Sequence, residues 1–298
     1  MAARAPGGRR SSPARAVRVR AFAKINRTLH VTGVRADGYH ELRTVFQSVA
    51  LHDRLTFRSE PGPFRLECDE PGCPTDRTNL VWRAADRLWK ASGRCGSPRD
   101  LTVRIEKRIP LQAGLGGGSS DAASALRALA LLWNVDARTR ARLPELAAAL
   151  GADVPFFLEG GTVLGLDRGD TLFPLPDAAR AQVVLVLPDF GVSTVEAYGW
   201  WDADRARPRR RSAVPNDLEA PVARRHPVIG RLTSALRAAG AQAAGMSGSG
   251  SAVFGLFADR RTAEDAAAQL VSRGRRVLVT RTLERATARA LGSPARGR

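Results

Sequence analysis

Lysine is almost missing from this chain: of 47 basic residues among 298, three are lysine (Lys24, Lys90, Lys107) and 44 are arginine. Arginine therefore supplies charge wherever charge alone suffices. A lysine marks a place that calls for a compact ammonium able to approach a single oxygen. Cysteine is scarce too. Cys68, Cys73 and Cys95 form no C-x-x-C pair and are odd in number, which argues against a disulfide framework or structural zinc and for reduced thiols. No apolar run approaches the roughly 18–20 residues of a membrane span, so no membrane partner is expected. The basic leader MAARAPGGRRSSPARAVRVR has no apolar stretch of the kind a secretory signal needs, and the expected location is the cytoplasm. His30, His52 and His226 are scattered and suggest no metal site, and tyrosine occurs only twice, as Tyr39 and Tyr198.

What is present, 44% hydrophobic and 26% charged residues, is the composition of a globular protein long enough for one large or two ordinary domains. The net charge of +18 raises a nucleic-acid reading, but 15 of those charges fall in residues 1–20, in RARPRRR at 205–211 and in residues 281–298. Two tails and one loop hold the excess. That pattern points to disordered basic ends and a solvated insertion more than to a groove for a phosphate backbone, so no nucleic-acid partner is expected.

Periodicity starts at Val17. VRVRAFAKIN alternates, placing Val17, Val19, Ala21, Ala23 and Ile25 on one strand face and Lys24 beside Asn26 on the other. VTGVRADGYHEL breaks at Asp37-Gly38 into a turn presenting Tyr39 and His40, and LHDRLTF at 51–57 resumes a strand-like pattern. TDRTNLVWRAADRLWK is predicted helical, with Asp76 or Thr78 as N-cap. LTVRIEKRIP alternates again and runs into PLQAGLGGGSSDAASALRALALLWN, a strand, a glycine loop and a helix. A short helix over 144–150 leads to ADVPFFLEGG; VVLVL at 183–187 is a buried strand, VIGRLTSALRAAG a helix, AVFGLF and RVLVT strands, with the loop GMSGSGS before AVFGLF. The break between halves is predicted near 160–180.

A glycine loop opening a helix offers unpaired N–H groups and the positive end of the helix dipole to a phosphate. Ser119 and Ser120 add hydroxyls but stand where a Walker A loop requires Lys and Ser/Thr. It is not a dinucleotide fingerprint either, since no acidic residue follows about 20 residues on within a βαβ unit. A tight turn or close helix packing is the alternative.

The loop resembles that of the GHMP kinase superfamily, which binds ATP with a P-x3-G-L-G-S-S-x-A type sequence. AFAKIN at 21–26, TGVRADGYHELRTVFQ at 32–47, TNLVWRAA at 78–85, LGADVPFFLEG at 150–160 and GMSGSGSAVFGLF extend the resemblance over roughly residues 18–285, to the kinases of 4-diphosphocytidyl-2-C-methyl-D-erythritol in the non-mevalonate isoprenoid route. The resemblance implies an α+β, two-domain GHMP kinase fold. Its N-terminal domain (17–170) is like the second domain of ribosomal protein S5, its C-terminal domain (171–285) is ferredoxin-like, and basic tails occupy 1–16 and 286–298. Lys24 and Asp153 are implied as the catalytic pair, a helix cap being the alternative for Asp153 and a surface lysine for Lys24. ATP would be wrapped by Pro110, Leu111, Gln112, Ala113, Gly114, Leu115, Gly116, Gly117, Gly118, Ser119 and Ser120, with Lys107 near the phosphates and Asn79 near the adenine. An ordinary strand-end charge and a first-turn helix residue are the alternatives for those last two. Mg2+ is expected with ATP, Ser120 being the best candidate ligand. Asn26, Tyr39, His40, Thr194, Tyr198, Gly248, Ser249 and Gly250 are implied on the side of the small-molecule substrate, whose cytosine would use the rings of Tyr39, His40 and Tyr198. A core tyrosine and a simple hairpin turn are the alternatives for Tyr198 and for 248–250. The chain is expected as a monomer or weak homodimer. Arg27 and Thr28 stand where the family carries apolar residues, and Gln112-Ala113 where it often has glycine, which implies altered strand packing or loop stiffness.

Overall fold

The computed structural model describes residues 16–204 and 216–296. The leader before Ala16 and the RARPRRR insertion lie outside the described residues.

The alternation that begins at Val17 becomes β1 (Ala16–Val34), which folds back through a turn at Gly38 onto β2 (His40–Arg58) as a long antiparallel hairpin. There follow β3 (Arg65–Cys68), α1 (Leu80–Ala91), β4 (Thr102–Glu106), α2 (Gly117–Leu132), α3 (Ala137–Ala141), α4 (Leu143–Ala148), α5 (Val154–Glu159), β5 (Thr162–Leu166) and β6 (Thr171–Pro174). The strands order as β1-β2-β4-β3, β3 parallel to β4, and β5 pairs both β2 and β6. The apolar stripe of α1 (Val81, Ala85, Leu88) and the alanine-rich α2 pack on the inward residues Leu55, Phe57 and Val103. Small α2 side chains let that helix lie close to the sheet, which fixes where its N-terminus opens.

The second half runs β7 (Gln182–Pro188), α6 (Thr194–Ala203), α7 (Glu219–Arg225), α8 (Val228–Ala238), β8 (Ala243–Met246), β9 (Val253–Phe257), α9 (Arg260–Leu270) and β10 (Arg275–Arg281). Its antiparallel sheet has the order β10-β7-β9-β8, the ferredoxin-like split arrangement expected. VVLVL is buried throughout because both faces of β7 are covered. Val184 and Val186 meet the helices, while Val183 and Leu185 join Ala23, Ile25 and Leu115 in a cluster between the two sheets. The glycine loop is thereby clamped at the seam.

The chain then returns to the first sheet through α10 (Arg285–Leu291) and β11 (Ala295–Arg296), the latter pairing β1 at Val17↔Arg296 and Arg18↔Ala295. This corrects the expectation of a basic tail over 286–298 for residues up to 296. Ala288 packs with Phe22 and Leu283, and Glu159 takes up the charge of Arg285 (3.1 Å) and Arg289 (2.8 Å). Among the described residues no helix is long and apolar enough to cross a membrane. The three cysteines are free thiols.

Candidate active site

Lys24 and Asn26, two residues apart on β1, share a face, and Lys24 Nζ donates to Asn26 Oδ1 at 2.6 Å. The Asn26 amide is oriented by Thr44, whose Oγ1 accepts from Asn26 Nδ2 at 2.7 Å and donates to the Thr28 carbonyl at 2.7 Å. The β1–β2 register shifts between Asn26 and Thr28. Arg27 is thus the extra residue of a bulge and half-buried, and Thr28 Oγ1 accepts from the Val45 amide at 3.2 Å, which is how polar residues are accommodated there. Across from Asn26 the Lys24 ammonium meets Asp153 Oδ2 at 3.4 Å. Asp153 sits at the N-cap position of α5, yet its side chain makes no capping hydrogen bond. Its carboxylate is 34% exposed while Lys24 is 4% exposed, so an acid open to a ligand faces an ammonium sealed from solvent.

The glycine loop lies against this pair. Gly114 has φ +73°, and a Cβ there would stand 2.1 Å from the Ser247 carbonyl; one on Gly116 would stand 2.6 Å from Phe157 Cζ and 3.1 Å from Lys24 Cγ. Neither position tolerates a side chain. Gln112 departs from glycine and still adopts φ +51°. The loop is clasped by the Lys24 amide on the Leu115 carbonyl (3.0 Å), the Ala252 amide on Ala113 (3.2 Å) and Ser247 Oγ on Gly114 (3.0 Å). α2 makes its first helical hydrogen bond from the Ser120 amide to the Gly116 carbonyl at 2.9 Å, leaving the amides of Gly117, Gly118 and Ser119 without an acceptor in the helix. The second loop closes from the other half: a Cβ on Gly248 would lie 3.3 Å from both Lys24 Nζ and Asn26 Oδ1. Asn216 Nδ2 holds that loop through the carbonyls of Met246 (2.8 Å) and Gly248 (2.9 Å).

The aromatic end is built by the β1–β2 turn and α6. The Tyr198 ring stacks on His40 with centroids 4.5 Å apart, and His40 Nε2 lies 3.1 Å from Asp202 Oδ1. Burial, with Asp153 nearby, pushes the Tyr198 hydroxyl above its usual range, so it stays a neutral phenol. Tyr39 is 58% exposed under the Arg168 guanidinium, 5.4 Å from the ring centroid. Thr194 Oγ1 and Ser249 Oγ are 3.3 Å apart, joining the start of α6 to the second glycine loop.

The GHMP kinases N terminal domain matches residues 79–161 and the GHMP kinases C terminal domain residues 205–276. The 4-diphosphocytidyl-2-C-methyl-D-erythritol kinase of Moorella thermoacetica is 43% identical over 283 residues, 88% of this chain and 98% of the relative. The chain belongs to the GHMP kinases. Within them it belongs to the family of 4-diphosphocytidyl-2-C-methyl-D-erythritol kinases. A crystal structure of a 4-(cytidine 5'-diphospho)-2C-methyl-D-erythritol kinase superposes with a TM-score of 0.74 at 36% identity, covering 89% of this chain and 98% of that one. The homoserine kinase of Cytophaga hutchinsonii, 18% identical with a TM-score of 0.63 over 98% and 100% of the two chains, shares the fold alone.

In this GHMP kinase three of the expected residues are held by partners that their sequence positions did not show. Asn79, rather than Asp76 or Thr78, is the N-cap of α1: its Oδ1 accepts from the Val81 amide at 2.8 Å and its Nδ2 donates to the Pro74 carbonyl at 2.6 Å. Ser120 is 1% exposed and its hydroxyl donates to the Phe22 carbonyl at 2.7 Å, because the second serine of the run falls on the core side of α2. Lys107 lies under Gly117, its ammonium 2.5 Å from Asp53 and 2.8 Å from Asp121. Burial pulls its pKa down, but those two carboxylates more than reverse this and hold it above the usual lysine range; burial in turn pushes Asp121 up to about 7.

Sequence reasoning passed over four residues. Asp53, fully buried, accepts the amides of Arg108 (2.5 Å) and Ile109 (2.8 Å) besides Lys107, and so pins the root of the glycine loop. A signal was available: in LHDRLTF the aspartate falls in register with the inward Leu55 and Phe57. Thr44, Asn216 and Ser247 carry no comparable mark, since their partners lie far away in sequence.

Proposed function

We propose that this chain transfers phosphate from ATP to the 2-hydroxyl of 4-diphosphocytidyl-2-C-methyl-D-erythritol, giving the 2-phosphate and ADP. The reading includes the non-mevalonate isoprenoid route, the cytoplasm as location, a monomer or weak homodimer as the working form, and 17–170 and 171–285 as the two domains. The observation that carries it is the meeting of Lys24, Asn26, Asp153 and both glycine loops within contact of one another, in a chain of this family.

GHMP kinases use ATP, which supplies the phosphoryl group. The residues present fit it. An added Cβ on Gly118 would meet nothing nearer than Leu80 Cδ1 at 3.8 Å, so the space over the first turn of α2 is open to phosphate oxygens, and three amides face it. The cradle spans Pro110 to Ser119, with Lys107 acting from beneath through the first turn and Asn79 bordering the adenine by its place at the start of α1. Magnesium fits less well as a protein-held ion. Among the described residues no group of three or more His, Cys, Asp or Glu could hold a metal, and Ser120 is committed to Phe22.

Asp153 accepts the proton of the attacking hydroxyl. Lys24, anchored by Asn26, lies beside the developing charge and stabilises it. Loose phosphoryl transfer needs chiefly this positioning and charge compensation. Gly248, Ser249 and Gly250 close over the diphosphate, and Thr194 braces them. Tyr39 supplies an open ring and His40 and Tyr198 a second flat wall for the cytosine. The test is ADP release with ATP and magnesium in the presence of the cytidylyl substrate, homoserine or mevalonate. Turnover with the cytidylyl compound alone is expected; turnover with a small alcohol alone would overturn the base-binding assignment.

A further inference from the structure

Behind the glycine loop, on the far side of the Phe157 ring that covers Gly116, the protein has a small cleft open to solvent. It is bounded by β1, α2, the end of α5 and α10, and contains none of the residues assigned above to ATP or substrate. Its polar lining is cationic: Arg20, Arg127 and Arg289, with the hydroxyls of Ser48 and Ser124. The one acid present, Glu159, is already held by Arg285 and Arg289 at 3.1 and 2.8 Å.

Arg127 is the telling residue. It projects from the middle of α2, half-buried, and its described hydrogen bond is a single one, from Nη2 to the Leu158 carbonyl. A guanidinium has five donors. Burial lowers its pKa and the neighbouring Arg289 lowers it further, with Glu159 only partly opposing them. A charged group held this way is under-compensated. Arg285, also half-buried and on the neighbouring α10, by contrast meets the carboxylate of Glu159 at 3.1 Å. Ser124, one turn after Ser120 on α2, is 8% exposed with no described hydrogen bond. Ser48 Oγ accepts the Gly161 amide at 3.1 Å and keeps its own proton to donate.

We propose that this cleft is a binding site for a small oxyanion of the phosphate class, held by Arg127 and Arg20 with hydrogen bonds from Ser124 and Ser48. A tetrahedral anion accepts from planar guanidinium forks and hydroxyls together, the donor set found here. The site does not depend on the assigned kinase reaction.

The experiment is thermal unfolding of the full chain titrated with inorganic phosphate at constant ionic strength, with a saturating non-hydrolysable ATP analogue present to occupy the glycine loop. Binding to the folded state alone raises the transition temperature with ligand concentration. A saturable rise is expected in the unsubstituted protein and in Lys24→Ala. It should be lost in Arg127→Met and diminished in Ser124→Ala and in the exposed Arg20→Gln. Should Arg127→Met fail to fold, the Ser124→Ala/Arg20→Gln double variant decides in its place. No rise with the loop occupied, or a rise of equal size and midpoint in the cleft variants, would overturn the proposal.

Discussion

At the scale of single residues the site rests on two groups with opposite surroundings. Lys24 is sealed and shared between Asn26 and Asp153, so it cannot be replaced by a group reaching in from solvent. Lys24→Ala is expected to lower kcat by about 100- to 1,000-fold, the usual loss for a preorganised charge-stabilising donor. Asp153→Asn should lower it by about 100- to 10,000-fold, with KM for ATP changing less in both; steady-state ADP release measures this, and a normal rate in either variant removes it from the assigned role. Tyr198 is tested differently. Base stacking is worth about 1–3 kcal/mol per ring, so Tyr198→Leu should raise KM for the cytidylyl substrate roughly 5- to 150-fold while leaving KM for ATP near its original value. The scarcity of lysine and tyrosine drew attention to Lys24, Tyr39 and Tyr198, but their assignment to the site came from the family resemblance. The inward facing of Ser120 and the capping of α1 by Asn79 were not legible, because a helix's facing and capping are settled by what it packs against, which no short window of sequence records.

Elements set the next level of constraint. The root of the glycine loop is Asp53, whose carboxylate joins β2 to the exit of β4, and the top is Gly114 against Ser247. An alanine at 114 would need a left-handed backbone and would also drive its methyl into the Ser247 carbonyl, so Gly114→Ala should separate the two loops and reduce activity more than stability. α6 and α7 are joined by Asp204, whose Oδ2 accepts from Arg224 Nη2 at 2.6 Å and Arg225 Nη1 at 2.7 Å. Hydrogen bonds from Arg225 and then Arg224 hold this carboxyl down at about 2. An aspartate whose folded pKa lies below its unfolded value of about 3.9 stabilises the fold above that value. The contribution is lost as pH falls from about 4 to about 2. Asp204→Asn should therefore flatten the acid limb of a transition-temperature profile in that window, and an unchanged limb would show the clamp to be idle. The strand alternations, the glycine loop with its helix, and the β7 run were readable because each repeats a local period. The β1 bulge at Arg27 was not, because only pairing with β2 reveals it.

For the whole molecule, the net charge of +18 misdirected the reading of one end more than the other. Residues 285–296 look like a solvated basic segment when charge is counted, yet Arg285 and Arg289 close on Glu159, Arg289 Nε donates to the Glu159 carbonyl at 2.9 Å, and β11 adds an edge to β1. The signal was too short to read: Leu283 and Ala288 are the described apolar anchors, and they become meaningful only beside Phe22. The two ends of the chain should consequently respond differently to removal. Deleting residues 1–15 takes away four arginines without touching any described element, and should leave both kcat and the transition temperature near their original values. Deleting 286–298 removes β11 and all of α10 beyond Arg285, strips Glu159 of Arg289 and uncovers Phe22 on the strand that carries Lys24. That variant should melt several degrees lower, at roughly 2–4 °C per kcal/mol lost for a domain of 150–250 residues, and should lose activity with it, because β1 is both the edge that β11 protects and the support of the catalytic lysine. Equal melting temperatures for the two truncations would mean that the returning segment contributes nothing to the sheet it joins.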